Sequence, residues 1–433
     1  MRLFKPCRLI FAFCIALSIL HFSLITVRAY EFQLGGNLKK TPLRWGSGII
    51  YLTLSNSLRQ PASNIKPNSD VVGAIQRSLK TWESATNIKF QTVWSDKVSI
   101  SKADGAGDGA SLITIAATPE NVAPFQGKFS EMPGRTRTFF DKRGKIVEAD
   151  IILNPYQQFS TDGSFGTFDL ESALTHEIGH LLGLDHSLVL AATMYSQQGK
   201  NGTFSLPAIM PRTLAEDDLA GMRSLYGTKI EDGSCCGVAD GVITTFDGKP
   251  FSGWQVWAEE TASGKLFAAV NANDKGFWNI GGLPNGRYQI VTQSDKAAAE
   301  VVGQIIVESN KVTTLNHEFT LHSRFLNQQL LGYNGQLSKL AVPISADNWQ
   351  TVFLGGENIT PGNLLLGKIS TSSSFIQISA ESLTRQDFDA GFPVVSFNLT
   401  VDSELPSGEY SLQTQDSNGN ATYLLGCFSF DQN

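Results

Sequence analysis

At 433 residues the chain exceeds one ordinary core and implies about two to four domains. Its 42% hydrophobic and 17% charged content is that of a globular protein. The formal net charge is -6; without residues 1–29, 30 basic side chains face 40 acidic ones, a balance that argues against nucleic acid as a partner.

The first 29 residues differ from the rest. Arg2, Lys5 and Arg8 precede an apolar run from Leu9 to Val27, and Val27-Arg28-Ala29 offers small residues at the cleavage positions, as in a secretory signal peptide. The expected location is extracellular. The alternative is a membrane anchor through residues 9–27, a run just long enough to span a bilayer.

After a short lead-in at residues 30–41, Trp45 to Leu54 alternates as a strand does. Asp70 to Thr86 repeats Val71, Val72, Ile75, Leu79 and Trp82 at helical spacing, with Asp70 as N-cap. Strands are expected at Phe90–Trp94, Leu112–Ala116, Gly134–Phe140 and Ile146–Asn154, the last two joined by a turn at Asp141–Lys145. Asp104, Asp108, Asp150 and Asp162 are candidate calcium ligands, set against a plainer reading as solvated loop carboxylates.

The densest chemistry is His176-Glu-Ile-Gly-His-Leu-Leu-Gly-Leu-Asp-His186. On a helix over 169–182, His176 and His180 project from one face with Cβ atoms about 5–6 Å apart, close enough to share one zinc ion. Glu177 sits about 100° away, beside the ligand face, where a carboxylate can act as general base on a water. A straight helix would carry His186 about 15 Å beyond His176. Gly183 supplies the turn back, because glycine takes the left-handed conformation without penalty. Three neutral imidazoles leave a fourth zinc position open, the catalytic pattern. The competing reading is a buried amphipathic helix that happens to carry histidines. It must explain why three of only six histidines fall in eleven residues.

With Met194 eight residues after His186, the segment resembles the metzincin signature, and Ser187 and Ala-Ala-Thr-Met-Tyr make it similar to the matrixin branch. Leu214-Ala-Glu-Asp-Asp-Leu-Ala-Gly-Met-Arg-Ser-Leu-Tyr-Gly227 resembles the closing helix of matrixin catalytic domains. The resemblance covers roughly residues 42–227. It implies a zinc endopeptidase acting on protein or peptide substrates, with Met194 as hydrophobic floor beneath the histidines. It also implies an edge strand at Thr136, Arg137, Thr138, Phe139 and Phe140, on which extended substrate lies. Matrixins use further histidines for a structural zinc; none lies between positions 22 and 175 here, so one catalytic zinc is expected. The cysteine that blocks zinc in matrixin proenzymes has no counterpart between positions 15 and 234. The loop 195–213 lacks the proline that usually follows Met-Tyr.

From Val238 the pattern becomes short strands with turns at Asp247-Gly248, Asp274–Gly276 and Pro284-Asn285-Gly286, implying a β-sandwich. Residues 248–256 and 274–288 resemble the carboxypeptidase-regulatory-like domain. Trp254 and Trp257 point to opposite faces, so one core and one rim residue are expected. Residues 323–433 resemble an immunoglobulin-like module. Cys235, Cys236 and Cys427 leave two readings: one of the adjacent pair bridges to Cys427, or all three are unpaired or variably oxidised thiols.

The expected architecture is multidomain: a signal peptide at 1–29, an α+β metzincin protease domain at 30–232 with a twisted mixed sheet and three helices, then two all-β sandwich domains at 238–322 and 323–433. An extracellular-matrix or cell-surface ligand is a candidate partner for the β domains. Two rival functions stand beside the protease: an adhesive protein with a vestigial zinc domain, and a zinc hydrolase of a non-peptide bond.

Overall fold

The computed structural model describes residues 31–35, 41–59, 62–103, 105–127, 131–250, 253–346 and 349–432. The signal read at 1–29, its alternative anchor at 9–27 and the candidate calcium ligand Asp104 lie outside them. Among the described residues no helix is long and apolar enough to cross a membrane.

The N-terminal half is a mixed sheet with helices. Besides the two-residue strand Arg44–Trp45, its strands are β1 (Ile49–Ser55), β2 (Lys89–Ser95), β3 (Leu112–Thr114), β4 (Gly134–Phe140) and β5 (Lys145–Leu153). They lie in the order β2-β1-β3-β5, all parallel, and β4 closes one edge antiparallel to β5. The parallel strands need crossovers, and helix α1 (Val71–Ala85) supplies the one between β1 and β2. Asp70 caps α1 by accepting from the Gly73 amide at 2.9 Å. The apolar stripe of α1 buries Ile75, Leu79 and Trp82. Helix α2 (Leu170–Leu181) is buried on nearly every side and crosses α1, where Trp82 Nε1 donates to the Thr175 carbonyl at 2.8 Å. Helix α3 (Glu216–Tyr226) closes this half. The Tyr226 hydroxyl donates to the Leu182 carbonyl at 2.6 Å, satisfying one open end of α2.

The C-terminal half is built of strands. The strand Cys235–Thr245 pairs with Phe277–Pro284 in one sheet. A larger sheet joins Glu300–Val307, Gly286–Gln293, Gln255–Glu260 and Leu266–Asn271, then passes through the pairing Leu266↔Glu409 into Gly408–Gln415 and Ala421–Phe430. A third sheet centres on Gln350–Glu357 and Val394–Val401. Val352, Leu354, Phe397 and Leu399 of that sheet share a core with Tyr410, Leu412 and Phe428 of the larger one, so the two sheets face each other.

Two expectations need correction here. Trp254 and Trp257 are both fully buried, because the sheet that carries them is covered on both faces. Trp254 packs on Phe319, with ring centroids 3.9 Å apart. Trp257 packs on Tyr423 at 5.1 Å and shares a cluster with Val189, Ala192 and Ala215 from the N-terminal half. Cys235 and Cys236 are bonded to each other, and Cys427 is free and buried. Cys427, in the last strand, sits inside the core between the C-terminal sheets and is not bridged to the adjacent pair.

Candidate metal and catalytic site

The site begins with the N-cap of α2. Asp169 accepts from the Ser172 amide at 2.9 Å and takes a forked ion pair from Arg212, Nε at 2.9 Å and Nη2 at 2.6 Å. That pair ties the loop after Met194 to the start of the helix. The helix then presents His176 and His180 one turn apart. Their Nδ1 atoms face backbone carbonyls, His176 at 2.7 Å from Thr193 O and His180 at 2.9 Å from Leu184 O. A carbonyl only accepts, so each Nδ1 carries the proton and donates, and each Nε2 keeps its lone pair.

Gly183 makes the turn expected of it, with φ +102°. A Cβ there would lie 2.2 Å from the Leu43 carbonyl oxygen, so the position needs glycine for space as well as for conformation. The turn brings His186 back. Ring centroids stand 4.8 Å apart for His176 and His180, 5.4 Å for His176 and His186, and 4.9 Å for His180 and His186. One ligand atom from each lies within 4.8 Å of the others, and among the described residues this is the one such cluster of His, Cys, Asp or Glu. His186 Nε2 is buried without a hydrogen-bond partner, an orphan that a cation would satisfy. Burial depresses the pKa of all three, that of His180 to about 4; neighbouring rings add to this at His176 and His180, whereas Asp185 and Glu31 oppose it at His186. The donor set is therefore neutral nitrogen, which suits zinc.

Glu177 is 2% exposed. Its carboxylate accepts from the Thr136 hydroxyl at 2.7 Å, and burial raises its pKa to about 7 against the opposing pull of that hydrogen bond and of nearby Arg135. Met194 is buried beneath α2, and a Cβ at Gly179 would lie 2.2 Å from its sulfur.

The edge residues divide by side. Thr136 turns inward onto Glu177, Arg137 donates to the Ser101 carbonyl, the Thr138 hydroxyl is buried without a partner, Phe139 is buried and Phe140 is exposed. The candidate calcium ligands are otherwise engaged: Asp108 pairs with Lys97, Asp150 accepts from the Ser101 and Leu112 amides, and Asp162 accepts from Ser164.

Several supporting residues escaped the sequence reading. Gly134 leaves room for Glu177, since a Cβ there would meet its Cγ at 2.8 Å. Asp218 accepts from the amides of Thr193, Met194 and Ala215, holding the turn whose carbonyl orients His176. The lead-in clasps the turn between the second and third histidines: Gln33 Nε2 donates to the His180 carbonyl at 3.0 Å and the Asp185 amide to Glu31 O at 2.6 Å. The paired aspartates were a visible signal; the lead-in carried none.

Residues 51–227 match the matrixin family model. Metalloendoproteinase 1 of Glycine max is 31% identical over 195 residues, covering 42% of this chain and 53% of that one. Stromelysin-1 of Equus caballus is 29% identical over 162 residues, covering 37% and 29%. The chain thus spans about half the length of the first relative and under a third of the second. Among solved structures, the major pilin subunit BcpA of Bacillus cereus is 12% identical and covers 43% of this chain and 66% of that one, at a TM-score of 0.19, too low to bear on the fold.

Proposed function

We propose that the chain is a secreted zinc-dependent endopeptidase whose chemistry lies within residues 30–232, with the β domains at 238–322 and 323–433 as accessories. The observation that carries the reading is the convergence of three imidazole rings, one ligand atom from each within 4.8 Å of the others, beside the buried carboxylate of Glu177. His176, His180 and His186 would hold the ion, which when bound would supply Lewis-acid polarisation of a carbonyl and lower the pKa of a water to about 7. Glu177, held by Thr136 and primed by burial, takes a proton from the attacking water and delivers it to the leaving amine. Met194 floors the site. Extended substrate lies along the free edge of β4, at Thr136 to Phe140, as an added strand. The name metalloendoproteinase carried by a relative supports peptide bonds over other substrates.

Glu177→Ala tests this, because it removes the proton shuttle and leaves all three ligands. The variant is expected to keep zinc at wild-type stoichiometry and lose nearly all hydrolysis of unfolded casein, as wild type does on chelation. Near wild-type turnover in the variant removes Glu177 from the mechanism. Zinc binding by wild type without any peptide cleavage favours the adhesive or non-peptide readings instead.

A further inference from the structure

The loop from Ser187 to Met194 follows the third histidine directly, and its hydrogen bonds lead out of the N-terminal half. Leu190 N donates to Leu425 O and Ala191 N to Gly426 O, each at 3.0 Å, so the loop lies along the strand Ala421–Phe430 as a short extra rung. Val189 and Ala192 are buried in one cluster with Trp257, Leu266, Ala269, Tyr423 and Leu425. Asp217 joins the same parts a second time: one oxygen accepts from the Ser187 hydroxyl at 2.6 Å, the other from the Ala269 amide at 2.8 Å. Both contacts begin at the residue after His186 or within the next four. Two separate stretches of the β region therefore hold the backbone that directly follows His186, whereas the main chain at His176 and His180 is set by their own helix.

We propose that the C-terminal β region is a positioning element of the metal centre, acting on His186 through Gly426 and through Ala269 and Asp217. This rests on the zinc reading above and adds that the accessory strands complete the site. Packing at Gly426 is tight enough to test. Its φ is +53°, and a Cβ there would lie 2.3 Å from Val189 Cγ1 but 3.5 Å from Val189 Cβ. Gly426→Ala, 240 residues from His186 in sequence, should thus push the loop, and Val189→Ala should remove the colliding methyl.

The experiment uses the full chain as wild type, both single variants and the double variant. Zinc affinity is read by competition with a chromophoric chelator, and thermal unfolding is followed in excess chelator. Supporting groups behind metal ligands are worth about 10–100-fold in affinity, so Gly426→Ala should bind zinc at least about tenfold more weakly. Val189→Ala should bind nearly as wild type. The double variant should recover most of the loss, less the strain of alanine at positive φ. Zinc affinity of folded Gly426→Ala within about twofold of wild type, or a double variant no better than the single, overturns the proposal. If Gly426→Ala does not fold, hydrogen exchange on wild type decides. Coupling is reciprocal, so removing zinc should speed exchange in Ala421–Phe430 and at Leu190 and Ala191, but not in Ile376–Gln386. A response confined to residues 176–194 overturns it. Zinc affinity that moves as expected in a chain that cleaves no peptide leaves the coupling standing and removes only the protease.

Discussion

Gly179 shows how the site constrains a position that local propensity would give to another residue. In an exposed helix, alanine is favoured over glycine by about 1 kcal/mol. Gly179 lies inside α2 and faces Met194, with a virtual Cβ at 2.2 Å from Sδ and 2.9 Å from Trp82 Cζ2. Both neighbours are buried and neither can retreat into solvent. Overpacking of this kind costs about 1–3 kcal/mol, more than the helix gains. Gly179→Ala should therefore lower stability by about 1–2 kcal/mol, read as a drop in the thermal midpoint. A rise in that midpoint would show that Met194 has slack. The His-Glu-x-x-His spacing was legible because each residue type has a single chemical use. Gly134 and Gly179 were not, since the side chains they make room for, Glu177, Met194 and Trp82, lie on elements that only the fold brings beside them.

At the scale of elements, α2 is fixed at both ends by side chains outside it. Trp45 and Tyr226 bind the Leu181 and Leu182 carbonyls at its C-terminus. At its N-terminus Asp169 is fully buried and paired with Arg212, which also lies 3.9 Å from Glu171. Asp169→Ala removes a cap and leaves a partly buried guanidinium with that poorer partner; it should cost about 3 kcal/mol. Asp169→Asn keeps an acceptor for the Ser172 amide and should cost less. Equal losses in chemical denaturation would mean that the cap contributes nothing. Helix boundaries were readable to within a residue or two because caps and stripes are local. Asp70 capped α1 as its sequence suggests, and the strands from Phe90 to Asn154 fell where alternation put them. The long reach of Arg212 into the cap of α2 was not readable, since loop residues 195–213 show no periodicity.

At the scale of the molecule, the halves meet across a buried polar seam that alternation could not reveal. A strand buried on both faces looks like one buried on a single face when the second face is covered by a distant part of the chain, and a rim position was expected for one of Trp254 and Trp257 for that reason. The seam holds carboxylates. Glu259 accepts from Trp257 Nε1 at 2.9 Å, and burial raises it to about 7. Glu409, beside Lys265, Glu216 and Asp218, is raised by burial to about 8 from an ordinary 4.5. A carboxyl whose pKa is higher folded than unfolded binds more protons in the folded state. Its contribution is fully present below the unfolded value, near 4.5, and is lost as pH rises through about 8. Between about pH 6 and pH 9 the chain should thus lose on the order of 2 kcal/mol from Glu409 alone. Glu409→Gln cannot ionise, so its thermal midpoint should fall less steeply over that range than wild type's under identical zinc loading. Comparing the two cancels the titration of the histidines and of Glu177, which both proteins share. Parallel curves would mean that Glu409 is already ionised at neutral pH, held so by Lys265 and by water entering the seam.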